Sequence, residues 1–96
     1  MNIHITDEAV DWFIEELDLE AGSAIRFFAK YGGNSVFQSG FTIGMTIGEA
    51  NKAAAEITLK DIKFQVDEQD LWFFNDEDLY IYLNNDEVDY SNKPNE

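Results

Sequence analysis

The sequence predicts an α+β protein that is mainly β, and two patterns carry this prediction. Apolar residues recur with a helical period in a stretch near the N-terminus, whereas alternation with a period of two returns several times from residue 24 onwards. Leu, Ile, Val and Phe make up 27 of the 96 residues, which is above the share of roughly 20% below which a highly charged chain tends to be disordered. We therefore expect a single folded domain over residues 1–96.

The N-terminal stretch 6–19 predicts an amphipathic helix. Thr6 can accept hydrogen bonds from the first free amides as an N-cap, and Gly22 marks the expected exit of the chain. Acidic residues occupy the side opposite the apolar face, so one face packs on a core and the other meets solvent. The apolar face consists of Val10, Phe13, Ile14 and Leu17.

Two alternating segments follow and predict a hairpin. The first strand spans residues 24–31 and the second 37–48, with Gly32-Gly33-Asn34-Ser35 as the turn between them. Glycine recurs on one face of the second strand, which favours strong curvature or a close approach of another group to the backbone. These glycines are Gly40, Gly44 and Gly48.

The C-terminal half predicts shorter elements. Residues 49–60 suit a loop or short strand, and 62–66 alternate as a strand. Asp67 is a plausible N-cap for a short helix that would bury Leu71 and Phe74. The last expected elements are a strand at 79–83, a turn at 84–86, a short strand at 88–90 and a frayed tail at 91–96.

The charge excludes several classes of partner. Twenty acidic and six basic residues give a net charge of −14, which repels phosphate backbones and anionic lipid surfaces. We therefore expect no nucleic-acid and no membrane partner, and a monomer or at most a weak dimer. The net charge is −7 over residues 1–20, +2 over 21–66 and −9 over 67–96, as expected if the middle of the chain supplies core strands.

The residue inventory leaves little room for catalysis. Cysteine is absent and His4 is the sole histidine, so no thiolate nucleophile is available and transition-metal ligands are too few. We expect no enzyme, no cofactor and no catalytic or metal-ligating residue. The abundant carboxylates leave a weak metal binder as an alternative, and the glycine-lined face of the hairpin leaves a small-ligand binding module as another.

Aromatic residues indicate where a partner could bind. Trp72, Phe73 and Phe74 are consecutive, and three consecutive aromatics cannot all point inward from one helix. At least one of them should be partly exposed and available to a protein partner.

The ends and the longest uncharged run predict a cytoplasmic protein. Residues 1–7 have neither a basic start nor a continuous apolar segment. The uncharged run 31–48 contains glycines, amides and hydroxyls and is too polar for a spanning helix.

Four segments of the chain resemble the HesB/IscA-like domain of A-type iron–sulphur cluster carriers, and the chain is most similar to that family's cysteine-free YneR-type members. The resemblance covers nearly the whole chain, and its most specific piece is the glycine-phenylalanine pattern of the middle segment. The segments are Ile5-Thr6-Asp7-Glu8-Ala9, Ala24-Ile25-Arg26-Phe27-Phe28, residues 31–41 and Phe64-Gln65-Val66-Asp67.

The resemblance implies a fold more strongly than an activity. It implies a compact mixed β-sandwich or partly open barrel with one N-terminal helix and one short helix. The family holds its cluster with three cysteines, and Asn34 stands at the first of these positions. The implied role is a non-enzymatic binding or accessory protein linked to iron–sulphur cluster biogenesis, which carries no cluster. The turn formed by Gly32, Gly33, Asn34 and Ser35 is its candidate interaction site.

Overall fold

The computed structural model describes residues 1–94 and contains seven strands and two α-helices. A 3-10 turn at Glu68–Asp70 leads directly into the second helix. In chain order the elements are β1 (Ile3–Ile5), α1 (Asp7–Leu17), β2 (Ala24–Asn34), β3 (Ser39–Ile47), β4 (Ala53–Leu59), β5 (Ile62–Asp67), α2 (Leu71–Phe74), β6 (Leu79–Asn84) and β7 (Glu87–Ser91).

The strands form two mixed sheets. The larger sheet has the order β3-β2-β5-β4, in which β2 runs antiparallel to β3 and parallel to β5. The smaller sheet has the order β1-β6-β7, with β1 parallel and β7 antiparallel to β6. The predicted α+β, mainly β class with one N-terminal and one short helix is confirmed, and the sheets do not close into a barrel.

Helix α1 begins as its sequence predicts and ends earlier. The Thr6 hydroxyl accepts a hydrogen bond from the Ala9 amide, so Thr6 is the N-cap. Asp18 takes a left-handed conformation with φ 51°, and the Leu19 amide donates back to the Ile14 carbonyl at 3.0 Å. This is the hydrogen bond of a Schellman-type end, so the helix stops before the predicted boundary and before Gly22.

The core joins α1 to the larger sheet through aromatic rings. The Phe13 ring lies 5.9 Å from that of Phe27 on β2 and 5.6 Å from that of Phe64 on β5, and all three side chains are fully buried. Ile25, Val10 and Val66 are also without exposed surface. These contacts are the main hydrophobic link between the helix and the sheet.

The predicted turn at residues 32–35 is wrong in position. Gly32, Gly33 and Asn34 lie within β2, where the register with β3 shifts between Tyr31 and Asn34. Gly32 and Gly33 have φ values of 107° and 68°, which glycine adopts readily, so the strand absorbs them as an irregularity. The chain reverses after Ser35 instead.

The close approach predicted along the glycine face occurs at Gly44. A Cβ atom added there would lie 2.5 Å from the Phe28 ring, whereas one added at Gly40 or Gly48 would meet nothing within 4 Å. Phe28 is directly opposite Gly44 in the β2–β3 ladder. The absence of a side chain therefore makes room for the Phe28 ring on the sheet surface.

Gly44→Ala is accordingly expected to destabilise the protein by about 1–3 kcal/mol, the usual cost of overpacking. Urea unfolding followed by circular dichroism measures the change. The control is the same substitution in a Phe28→Ala background, where most of the cost should disappear because the ring is gone. An equal cost in both backgrounds would contradict the steric explanation.

The short helix buries a different pair of residues from the one predicted. Phe73 and Phe74 are fully buried, Leu71 is partly exposed and Trp72 is exposed. In a helix of four residues, adjacent side chains can share the core because no second turn fixes a repeating face. Residues 53–59, predicted as loop or short strand, form the seven-residue strand β4.

The predicted tail begins too early. Ser91 belongs to β7 and pairs with Tyr80, and the Lys93 amide donates to the Ser91 hydroxyl. The part of the frayed-tail prediction that concerns residues 95 and 96 lies outside the described residues.

Asp67 ends β5 and holds the adjoining segments by hydrogen bonds, as its predicted capping role requires. Its carboxylate accepts from the backbone amides of Gln69, Asn51 and Lys52. The bond from the Gln69 amide is the main cause that holds the Asp67 pKa below its usual value, with the Lys52 and Asn51 amides acting in the same direction.

Because the Asp67 pKa is lower in the folded state, its ionisation stabilises the fold at neutral pH, and this stabilisation is lost as the pH falls through the acidic range. Asp67→Ala should lower the urea midpoint at pH 7, and the difference from the wild type should shrink below about pH 4. Glu16→Gln on the exposed side of α1 is the control and should leave the midpoint unchanged. A difference that stays constant from pH 7 to pH 3 would contradict this role.

Candidate functional site

The largest exposed aromatic surface lies where the β2–β3 hairpin meets α2. Tyr31 is 87% exposed and Trp72 is 52% exposed, with the half-buried Phe41 between them. The Phe41 ring lies edge-on to both, at centroid distances of 5.7 Å from Tyr31 and 5.1 Å from Trp72. We call these three residues the hairpin patch.

Strand lengths explain why Tyr31 is outside the core. It has the same parity along β2 as the buried Ile25 and Phe27, and alternation alone therefore places it on the core side. The pairing of β2 with β5 ends at Phe27 and Val66, so β2 and β3 continue as a two-stranded hairpin beyond the end of β5. Tyr31 lies on this extension, opposite Phe41.

Trp72 is exposed because its neighbours occupy the buried side of α2. Phe73 and Phe74 both contact the ring of Phe37, at centroid distances of 5.6 and 5.0 Å. Successive side chains on a helix point in different directions, and Trp72 is left at the surface against Phe41. The sequence predicted that one of the three aromatics would be exposed, and the structure identifies it as Trp72.

Side-chain amides tie α2 to the hairpin. The Gln38 amide donates to the Trp72 carbonyl at 3.4 Å and to the Asn75 side chain at 3.3 Å. Asn75 in turn donates to the Phe37 carbonyl at 3.0 Å. These bonds keep the elements that carry Trp72 and Phe41 in fixed relation, which lowers the entropy lost when a partner binds.

A cleft of about 420 Å³ adjoins the end of the hairpin. Val36, which is 58% exposed, stands at its margin, and burial raises the pKa of Tyr90 in the cleft to about 12. The lining residues are Asn34, Ser35, Val36, Phe37, Thr42, Ile43 and Tyr90.

The predicted interaction residues divide between this cleft and the strand. Asn34 and Ser35 line the cleft, whereas Gly32 and Gly33 do not. The Asn34 side chain accepts from the Gly40 amide at 3.0 Å, and the Ser35 hydroxyl accepts from the Phe37 and Gln38 amides. Asn34 and Ser35 thus hold the hairpin end in shape, and their role as an interaction site stays a prediction.

The end of the β2–β3 hairpin is formed by an uncharged segment of an acidic chain. Residues 31–48 contain no acidic or basic side chain, although the whole chain has a net charge of −14. Tyr31 and Phe41 lie in this run, with the exposed Lys30 next to Tyr31 on β2, whereas Trp72 lies outside it on α2. Such a surface is suited to contact with another protein.

His4 lies apart from the hairpin, on the smaller sheet. Its Nε2 atom is 2.9 Å from an Asp78 carboxylate oxygen, and its ring stacks on Tyr80 with centroids 4.4 Å apart. The hydrogen bond with His4 is the main cause that lowers the pKa of Asp78. His4 is therefore a hydrogen-bonded residue of β1.

In the described part of the chain, potential metal ligands are dispersed and both α-helices are short. Within residues 1–94, no three His, Cys, Asp or Glu side chains come close enough together to hold a metal ion. No helix in the same part of the chain is long and apolar enough to cross a membrane.

The fold and the hairpin patch define a small two-sheet α+β protein with an exposed aromatic cluster at the hairpin end. The chain belongs to the family of a Bacillus subtilis protein named "Pyruvate dehydrogenase inhibitor", to which it is 40% identical over 86 residues, covering 90% of each chain. It is also 40% identical to an uncharacterized Staphylococcus epidermidis protein over 84% of this chain and 86% of the relative. An uncharacterized Staphylococcus aureus protein is 36% identical over 97% of this chain and its own full length.

The resemblance to the HesB/IscA-like domain is wrong as a family assignment. No family model matches the chain, and the relative whose name gives a role is called a pyruvate dehydrogenase inhibitor. The predicted link to iron–sulphur cluster biogenesis is therefore overturned. No solved structure matches the chain.

The glycine pattern that carried the resemblance has a local structural role. Gly32 and Gly33 serve the irregular end of β2, and Asn34 accepts a hydrogen bond from Gly40. The two alternatives, a small-ligand module and a weak carboxylate metal binder, are not supported either.

Proposed function

We propose that this protein is a non-enzymatic inhibitor of pyruvate dehydrogenase that binds the enzyme through the hairpin patch. The single observation that carries the proposal is the exposed aromatic cluster of Tyr31, Phe41 and Trp72. The name of the Bacillus subtilis relative supports the choice of partner. A cytoplasmic location is part of the proposal, because an inhibitor must share the compartment of its enzyme.

The residue types of the patch support a protein partner. Tyr and Trp are enriched among the residues that dominate binding energy at interfaces, since they bury a large area with few rotatable bonds. Tyr31 and Trp72 are both exposed, and both contact the ring of Phe41. The patch is therefore organised before the partner arrives.

The charge distribution supports a basic surface on the partner. Acidic residues dominate at 1–20 and 67–96, outside the uncharged segment 31–48. Long-range attraction would accelerate encounter with a positively charged surface, while the aromatic patch would supply the contact energy. In this proposal the protein blocks pyruvate dehydrogenase by occupying its surface, without chemistry of its own.

The test is a titration of the purified protein into the pyruvate dehydrogenase complex of the organism that encodes this chain, followed by NADH formation from pyruvate, coenzyme A and NAD. We expect the rate to fall to a saturating low value, and the protein to co-sediment with the complex. The control is bovine serum albumin, another acidic protein, at the same concentration. An unchanged rate together with no co-sedimentation would overturn the proposal.

A further inference from the structure

The edge strands of the two sheets differ in how they are protected against pairing with another chain. β1 has three residues, β4 carries Glu56, and β7 carries Glu87 and Asp89. β3 is nine residues long and contains neither charge nor proline. Because short length, charge and proline are the usual protections of an edge, β3 is the unprotected edge among residues 1–94.

The ladder geometry determines which backbone groups of β3 face outward. The Gly48 amide donates to the Ala24 carbonyl at 2.8 Å, and hydrogen-bonded pairs alternate with non-bonded pairs in an antiparallel ladder. The outward N–H and C=O groups of β3 therefore belong to the intervening residues, which are Phe41, Ile43, Met45 and Ile47.

The direction of a backbone amide on β2 agrees with this assignment. Ala29 is opposite Ile43, and its amide points away from β3 and donates to the Asp70 carboxylate at 3.3 Å. Within residues 1–94, β3 pairs with β2 alone. Its outward groups are thus free to form a second ladder.

β3 also contributes residues to the cleft and to the hairpin patch. Thr42 and Ile43 line the cleft, and Phe41 of the patch precedes them on the same strand. When a peptide adds a strand to a sheet edge, main-chain hydrogen bonds supply affinity and pockets for alternate side chains supply specificity. The β3 edge has both parts of this arrangement.

We propose that an extended segment of the pyruvate dehydrogenase partner adds to the larger sheet as a fifth strand beside β3, an inference that rests on the proposed function. The segment is uncharged where it pairs with β3, carries apolar residues at alternate positions, and is flanked by basic residues. Charge complementarity favours this occupant, because the acidic residues of the chain lie mainly at 1–20 and 67–96. A second copy would bring two molecules of net charge −14 together.

Proline substitutions at outward-facing positions test the proposal. Met45→Pro removes an outward N–H and places a ring on the free edge, while the hydrogen bonds between β3 and β2 remain. Ile47→Pro also removes an outward N–H, and its side chain is 58% exposed. This second variant provides the test if Met45→Pro fails to fold. The matched controls are Met45→Leu and Ile47→Val, which retain the N–H.

The readouts are inhibition of the pyruvate dehydrogenase complex and circular dichroism of each variant. We expect folded proline variants to need about tenfold more protein for half-maximal inhibition, as for the loss of one or two hydrogen bonds, and the controls to match the wild type. Equal inhibition by a folded proline variant and the wild type would overturn strand addition and leave the proposed function standing. Failure of the wild type to inhibit would overturn both.

Sedimentation of the protein alone tests whether a second copy of the chain, and not a segment of the partner, pairs with the β3 edge. We expect a monomer for the wild type and for Met45→Pro over micromolar concentrations in moderate salt. A wild-type dimer that Met45→Pro dissociates without changing inhibition would assign the β3 edge to a second copy and contradict the proposal.

Discussion

Trp72→Ala is expected to raise the concentration needed for half-maximal inhibition of pyruvate dehydrogenase by about 30-fold or more, the factor for a hot-spot loss of about 2 kcal/mol. The side chain is 52% exposed and packs edge-on against Phe41 at 5.1 Å. Its removal takes away the largest ring system of the patch. The measurement is the inhibition titration with purified variant protein.

The second tryptophan provides the matched control. Trp12 lies on α1 and donates from its indole nitrogen to the Asp86 carbonyl at 2.9 Å, away from the hairpin patch. Trp12→Phe should inhibit like the wild type, and Trp72→Ala should keep a wild-type urea midpoint, since exposed substitutions usually change stability by about 0.5 kcal/mol or less. Full inhibition by Trp72→Ala would exclude Trp72 from the contact surface.

Phe13→Ala is expected to destabilise the fold by about 3–5 kcal/mol, the usual cost of removing a buried phenylalanine. The ring contacts both Phe27 and Phe64 and has no exposed surface. Domains of this size are stable by about 5–15 kcal/mol in total, so the variant should sit close to unfolding. Urea denaturation followed by circular dichroism gives the free energy.

Phe37→Leu serves as the comparison for Phe13→Ala. Phe37 belongs to the same core, and leucine keeps most of its apolar volume, so the loss should be about 1.5 kcal/mol or less. A loss for Phe13→Ala no larger than that of Phe37→Leu would contradict the central position of Phe13.

The long periodic elements were predictable because their patterns repeat. Helix α1 and the strands β2, β3, β5 and β6 each contain enough alternation or helical spacing to identify them. Helix α2 has four residues, which is too few for a periodic pattern. The sequence therefore predicted that Leu71 is buried, whereas the structure buries Phe73. The hairpin reversal was misplaced because Gly32 and Gly33 serve an irregularity within β2 as readily as a turn.

The candidate site was predictable in residue type and only partly in position. The run of three aromatics indicated an exposed ring, because a short helix cannot bury all three. The exposure of Tyr31 depends on where β5 stops pairing with β2, after Phe27, and local alternation carries no information about that length. The outward-facing edge of β3 likewise follows from the sheet order, which periodicity does not determine.

Photocrosslinking from the hairpin patch tests the central claim most directly. A benzoylphenylalanine placed at Tyr31, which is 87% exposed, is irradiated in the presence of the pyruvate dehydrogenase complex. The same group at Glu15, on the exposed side of α1, is the control. We expect a covalent adduct with a pyruvate dehydrogenase subunit from position 31 and none from position 15. An adduct from position 15 alone, or from neither position while inhibition is intact, would contradict binding through the hairpin patch.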